Sequence, residues 1–129
     1  MITTGTKGYS ETTVTKDNTA IAMGSGMLPV FATPAMIALI ENAAANSIVE
    51  QLEEGTGTVG TYLEVNHTSA SPVGMKITCE SKVTEVNGRE ITFTAVVSDE
   101  KGEIGNAVHK RFIIKNASFL EKANAKIGE

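Results

Sequence analysis

Three polar side chains stand where apolar ones are expected, and each could do chemistry. Glu41 follows six apolar residues, Ala35 to Ile40, in the stretch FATPAMIALIENAAANSIV. A carboxylate there is costly unless it is paired, protonated or put to use. It either escapes at a polar edge beside Asn42 and Asn46, pairs with a cation across a dimer, or works as base or nucleophile in a partly dry cleft. His67 shares the inward face of TYLEVNHTS with Leu63 and Val65. It is either a hydrogen-bonded core residue or a general base whose pKa needs little tuning. Thr33 precedes Pro34, which makes it a natural N-cap. A hydroxyl at a helix start also sits where free N–H groups stabilise an anion. The two roles compete, because a hydroxyl given to a substrate caps less well.

Elements must hold these groups. Pro34 suits the first turn, and Gly55 is a natural stop, so the pattern predicts about 20 helical residues, or roughly 30 Å. On that helix Glu41 shares a face with Ile37, Ala44, Ile48 and Leu52. Residues 8–16 suggest a first strand, and 17–30 a loop with a short turn of helix. After Gly55 the period changes to two. Met75, Ile77, Cys79 and Val83 alternate with polar neighbours, as do Ile91, Phe93, Ala95 and Val97. Asn87-Gly88 signals a hairpin. The tail after Lys115 reads as polar and prone to fray. A strand, a long helix and four antiparallel strands make an α+β chain, read as a single domain over residues 1–129. A helix apolar nearly all round needs cover on more than one side. A curved sheet supplies part of it and a second copy the rest, so a homodimer is expected.

Composition narrows the partners. With 129 residues, a formal charge of −4 and only 5% aromatics, the chain lacks the basic, ring-bearing surface of a nucleic-acid binder. No apolar run approaches a membrane span, and the N-terminus lacks a signal-peptide core. A lone Cys79 excludes an internal disulfide, so the cytoplasm is expected. No Cys/His/carboxylate set has ligand spacing, and His109 does not supply one; neither metal nor cofactor is expected. GTGTVG, Gly55 to Gly60, matches the dinucleotide fingerprint, but here a helix precedes it and a strand follows, the reverse of what that site needs. Lys76, Lys82, Lys110 and Lys115 could meet phosphates, although solvated strand faces explain them as well.

Four stretches, VFATPAMIALIENAA, GTGTVGTYLEVNHTSASPVG, GREITFTAVVSDEKGEIGNAVHKRF and FLEKANAK, resemble the fluoroacetyl-CoA thioesterase family of hot-dog-fold enzymes. They cover most of the chain from Val30 onward. The resemblance implies a long central helix wrapped by a curved antiparallel sheet, paired as a homodimer, with a dimer of dimers left open. It implies hydrolysis of an acyl-CoA to a carboxylic acid and free CoA. Thr33, Glu41 and His67 fall on the family's catalytic threonine, glutamate and histidine, Gly60 on a glycine lining the acyl site, and Arg111 on an arginine close to it. In that division of labour His67 moves protons, Thr33 orients the acyl group or water, and Glu41 is base or transient nucleophile. The three are expected to border one thioester-sized crevice. The fluoroacetyl specialist carries gating phenylalanines where Gly24 and Met27 stand here, which implies a short or medium acyl chain, with Met27 near the substrate. A module that binds acyl-CoA without hydrolysing it is the alternative from another class.

Overall fold

The computed structural model describes residues 1–128. Strand β1 (Lys7–Thr13) leads through a 3-10 turn at Lys16–Asn18 and a short helix α1 (Ala20–Met23) into the long helix α2 (Thr33–Ser47). A second 3-10 turn, Val49–Gln51, is followed by β2 (Thr56–His67), β3 (Lys76–Asn87), β4 (Glu90–Asp99) and β5 (Gly102–Lys115), and then by helix α3 (Asn116–Gly128). The five strands form one sheet in the order β1-β3-β4-β5-β2, with every neighbouring pair antiparallel. The expected architecture of one helix and a curved antiparallel sheet is present. None of the described helices is long and apolar enough to cross a membrane.

Helix α2 buries a stripe at helical spacing, Met36, Leu39, Ile40, Ala43 and Ala44. Against it lie the inward residues of the hairpin strands: Ile77, Cys79, Ile91, Phe93 and Val97 are all fully buried. The Ser10 hydroxyl donates to the Leu39 carbonyl at 2.8 Å and ties β1 to the helix. Register shifts between Gly60 and Tyr62 and between Val83 and Glu85 break the strand pairing locally. Such bulges increase twist, which helps a sheet curl around one helix. The opposite side of α2 stays open, with Thr33, Ala38 and Asn42 exposed.

Several boundaries differ from the sequence reading. Ala32, not Thr33, is the N-cap of α2, so Thr33 is the first helical residue and Pro34 the second. The α-helix stops at Ser47, well before Gly55. The Ser47 hydroxyl bonds back to the Ala44 carbonyl at 2.7 Å, and the β-branched Ile48 leaves helical geometry at φ −116°. Gly55 instead turns the chain into β2 with φ 83°. Gly57 and Gly60 lie within that strand. The residues between β3 and β4 are Gly88 and Arg89, one step on from the Asn-Gly centre. The tail is helical: it forms α3, built on Ala117, Leu120, Glu121, Lys122, Ala123 and Ala125, which favour helix without any buried face.

Candidate active site

Two tethers hold the start of α2 against the end of β2. The Phe31 amide donates to the Ser71 carbonyl at 2.9 Å, and Val30 bridges Pro72. Phe31 itself is buried and anchors the turn. These contacts place the Thr33 hydroxyl 2.8 Å from Nδ1 of His67, the last residue of β2. Because Ala32 is the cap and makes no side-chain cap bond, the Thr33 hydroxyl is free for this contact. The first-turn N–H groups of α2 also lack a side-chain partner, so the helix start keeps its partial positive charge beside the pair. Burial pushes the His67 ring below its ordinary value of 6.5, and the backbone at Ser69 pulls the other way. A neutral ring can accept the Thr33 proton at Nδ1, while its Nε2 is shielded from water and has no hydrogen-bond partner among the described residues. A hollow of about 290 Å³ adjoins the pair, lined in part by Ala20, Ser25, Phe31 and Ala70.

Glu41 belongs to a second group. Its side chain is 44% exposed, which lets its charge reach water despite the apolar run before it. One carboxylate oxygen lies 3.9 Å from Nη1 of Arg111, so the cation it meets comes from its own chain. The Arg111 guanidinium, almost fully buried on β5, donates from Nε to the Thr58 hydroxyl at 2.8 Å and from Nη2 to the Thr58 carbonyl at 3.0 Å. Its Nη1 lies 3.1 Å from Nε2 of His109, whose Nδ1 is 2.9 Å from the Tyr62 carbonyl. Burial lowers the Arg111 pKa, opposed by the Glu41 carboxylate.

Gly60 faces this group because nothing larger fits. A Cβ at that position would lie 2.7 Å from the Glu41 carboxylate oxygen and 3.1 Å from the His109 ring. Gly60→Ala is expected to push the flexible carboxylate aside rather than unfold the chain. Its kcat/KM should fall about tenfold or more, with unfolding free energy within about 1 kcal/mol of wild type by urea titration.

The structure therefore joins Thr33 to His67, and Glu41 to Gly60 and Arg111, but it does not put all of them around one crevice within a single chain. Glu41 does not line the hollow beside Thr33. Eight residues of helix separate Thr33 from Glu41, about 12 Å of axis. Met27 stands 88% exposed and does not line that hollow either. His109 and Thr58 are the hydrogen-bonded neighbours of Arg111 that the residue pattern did not place in the site. His109 was legible in principle, since Ala107, His109 and Arg111 alternate inward along β5.

Both histidines hold fewer protons folded than unfolded, because burial is the largest influence lowering each ring. Their contribution to stability is complete above the ordinary value of 6.5 and is lost as pH falls below it. Urea midpoints are expected to drop between about pH 7.5 and about pH 5.5, and less so in His109→Gln, which removes one of the two groups. An unchanged difference between the two pH values in that variant would count against the burial account.

Comparison with known proteins gives a concordant result. Residues 14–117 match the family model described as FlK, fluoroacetyl-CoA-specific thioesterase. A fluoroacetyl-CoA thioesterase from Streptantibioticus cattleyicolor is 38% identical over 98 residues, covering 76% of this chain and 68% of that protein. The solved structure of a fluoroacetyl-CoA thioesterase FlK variant in complex with fluoroacetate superposes with a TM-score of 0.91 at 27% identity, covering 97% of this chain and 98% of that one. A Thermus thermophilus thioesterase-superfamily member superposes with a TM-score of 0.87 at 25% identity, over 100% of this chain and 98% of that one. With its hot-dog architecture and a family match spanning most of its length, the chain belongs to the FlK family of thioester hydrolases.

Proposed function

We propose that this chain, as a cytoplasmic homodimer folded as one hot-dog domain per copy, hydrolyses short or medium acyl-CoA thioesters to the carboxylic acid and free CoA. The observation that carries this reading is the 2.8 Å contact between Thr33 and His67 at the uncapped start of α2. Developing negative charge on the thioester carbonyl oxygen would be stabilised by the N–H groups of that first turn. His67 takes the proton from water or from the Thr33 hydroxyl, and Thr33 orients the acyl group. Glu41 shares that work as the base on water, or attacks the carbonyl itself, expelling the thiolate and forming an acyl anhydride that a water deprotonated by His67 then opens. A thiol of ordinary pKa near 8.5 leaves readily as the thiolate, so most of the catalytic demand falls on carbonyl addition. Cys79, a buried free thiol, fits a reducing compartment.

The separation of the two polar groups supports the dimer. Strand β2 is an edge strand, paired with β5 on one side only. It is 12 residues long, with Tyr62 47% exposed, and such an edge needs cover. Antiparallel pairing of β2 with its own copy, about a two-fold axis through Glu64, would set the register shift at Gly60 and Thr61 of one chain, next to Arg111 on β5, opposite the partner's His67. That arrangement assembles two composite sites from four half-sites. The exposed Phe119 and Leu120 of α3 leave further apolar area for the same partner.

Substrate preference follows from size and from the segment before α2. The hollow beside Thr33 is at the small end for ligand sites, which suits a short acyl group. Residues 24–30, GSGMLPV, contain no aromatic ring to form a rigid gate. Thiol release from fluoroacetyl-, acetyl-, butyryl- and octanoyl-CoA tests the reading. Turnover is expected to be best with the shorter chains, and fluoroacetyl-CoA should be preferred over acetyl-CoA by no more than about tenfold. Tight binding without thiol release from any of them would favour the binding module. A strong fluoroacetyl preference would overturn the specificity.

A further inference from the structure

The buried contacts around Arg111 assign a role to a residue outside the three catalytic positions. We propose that His109 is a positioning residue: as a neutral ring it holds the Arg111 guanidinium away from a tight ion pair with Glu41. The inference rests on the reading of Glu41 and Arg111 as parts of the thioester site.

The hydrogen-bond pattern leaves one consistent assignment of protons. The Tyr62 carbonyl can only accept, so His109 Nδ1 must carry its hydrogen. Arg111 Nη1 can only donate, so His109 Nε2 must present its lone pair at 3.1 Å. The ring cannot easily turn away, because Phe93 lies stacked on it at 6.0 Å between centroids. The Tyr62 carbonyl follows a register shift in β2, next to Gly60. With Thr58 accepting from Nε and Nη2, all three guanidinium nitrogens have an acceptor and the plane of the group is fixed.

That fixed plane leaves Nη1 at 3.9 Å from the Glu41 oxygen, near enough for attraction but beyond a direct hydrogen bond. Without the His109 acceptor, the Nη1 hydrogens would turn to the nearest remaining one, the Glu41 carboxylate. A close charge-assisted pair stabilises the carboxylate and makes it a poorer base and nucleophile. His109 therefore keeps Glu41 reactive. Its ring must stay neutral to do so, since an imidazolium would present N–H to N–H and cation to cation. The groups around it agree in part: burial and Arg111 lower its pKa, while the Tyr62 carbonyl and the Glu41 carboxylate raise it, and Phe93 adds no charge.

The test uses three variants and one measurement that needs no activity. His109→Leu removes the acceptor, and kcat should fall about 10- to 100-fold with KM within about threefold. His109→Gln keeps an oxygen acceptor at similar reach, and should recover most of the kcat while losing the His109 contribution to the acid limb of the pH profile. In wild-type protein, nitrogen-15 NMR should show His109 with its proton on Nδ1, and Arg111→Met should raise the pH at which the ring titrates. A folded His109→Leu variant with unchanged kcat, or a ring protonated on Nε2, would overturn the proposal. Wild-type protein inactive on every acyl-CoA would sink the functional reading instead, and the NMR result would still decide whether His109 is held as an acceptor.

Discussion

Mixing His67→Ala chains with Glu41→Gln chains will restore activity that neither variant has alone. Each single variant should lose about 10²- to 10⁴-fold in kcat, the usual worth of a positioned acid–base group. In a two-fold dimer with composite sites, a mixed dimer carries both defects in one site and neither in the other. Random assortment makes half the dimers mixed, so co-expressed and separately tagged chains should recover about a quarter of wild-type turnover. If each chain instead built its whole site alone, every site in a mixed dimer would carry one defect, and no recovery would occur. The experiment thus reads directly whether the 12 Å or so of helix between Thr33 and Glu41 is bridged by a second copy.

Phe93→Ala should be the most damaging core substitution, at about 3–5 kcal/mol by urea denaturation. Phe93 is fully buried in a cluster with Ile2, Ala44, Ile48, Val83 and Ile91, where β3 and β4 meet the C-terminal half of α2. Aromatics are scarce in this chain, so few other rings can move in to fill the space. Deleting the ring also removes the surface on which His109 lies, so residual folded protein should show weakened catalysis along with lowered stability. Phe93→Leu should cost markedly less, since it leaves a smaller cavity. Equal losses for the two variants would mean that packing volume is not what Phe93 contributes.

The parts of the fold that could be read from the sequence are those governed by local periodicity. Alternation alone placed Ile77, Cys79, Val83, Ile91, Phe93, Ala95 and Val97 inward, and all are buried. The helix start was visible in Pro34, but its end was not. Ile48 continues the apolar pattern past Ser47 and is itself buried, so hydrophobicity gave no sign that the α-helix had stopped. Helix α3 was missed for the opposite reason: it has helix-forming residues but no buried stripe to give it a period.

The site was half legible. Spacing and residue type singled out Thr33, Glu41 and His67, and the structure joins the first to the third. The cradle of Arg111 could not be read locally. Its bonds to Thr58 span 53 positions, and the His109 bond to Tyr62 spans 47, so only the β2–β5 register brings these groups together. From spacing alone Gly60 was only the last glycine of a misplaced dinucleotide fingerprint, whereas its lack of a side chain is what leaves room for a carboxylate.

Cys79 lies on β3 among the core residues that pack against α2, with its thiol raised to about 11 by burial. A catalyst whose proposed product is itself a thiol works among CoA and CoA disulfides, which can trap an accessible thiolate as a mixed disulfide. Here the sole sulfhydryl of the chain is both stowed and protonated, so exchange with a CoA disulfide formed by oxidation of the product is suppressed while the protein stays folded. The same stowage leaves the background silent in colorimetric thiol assays.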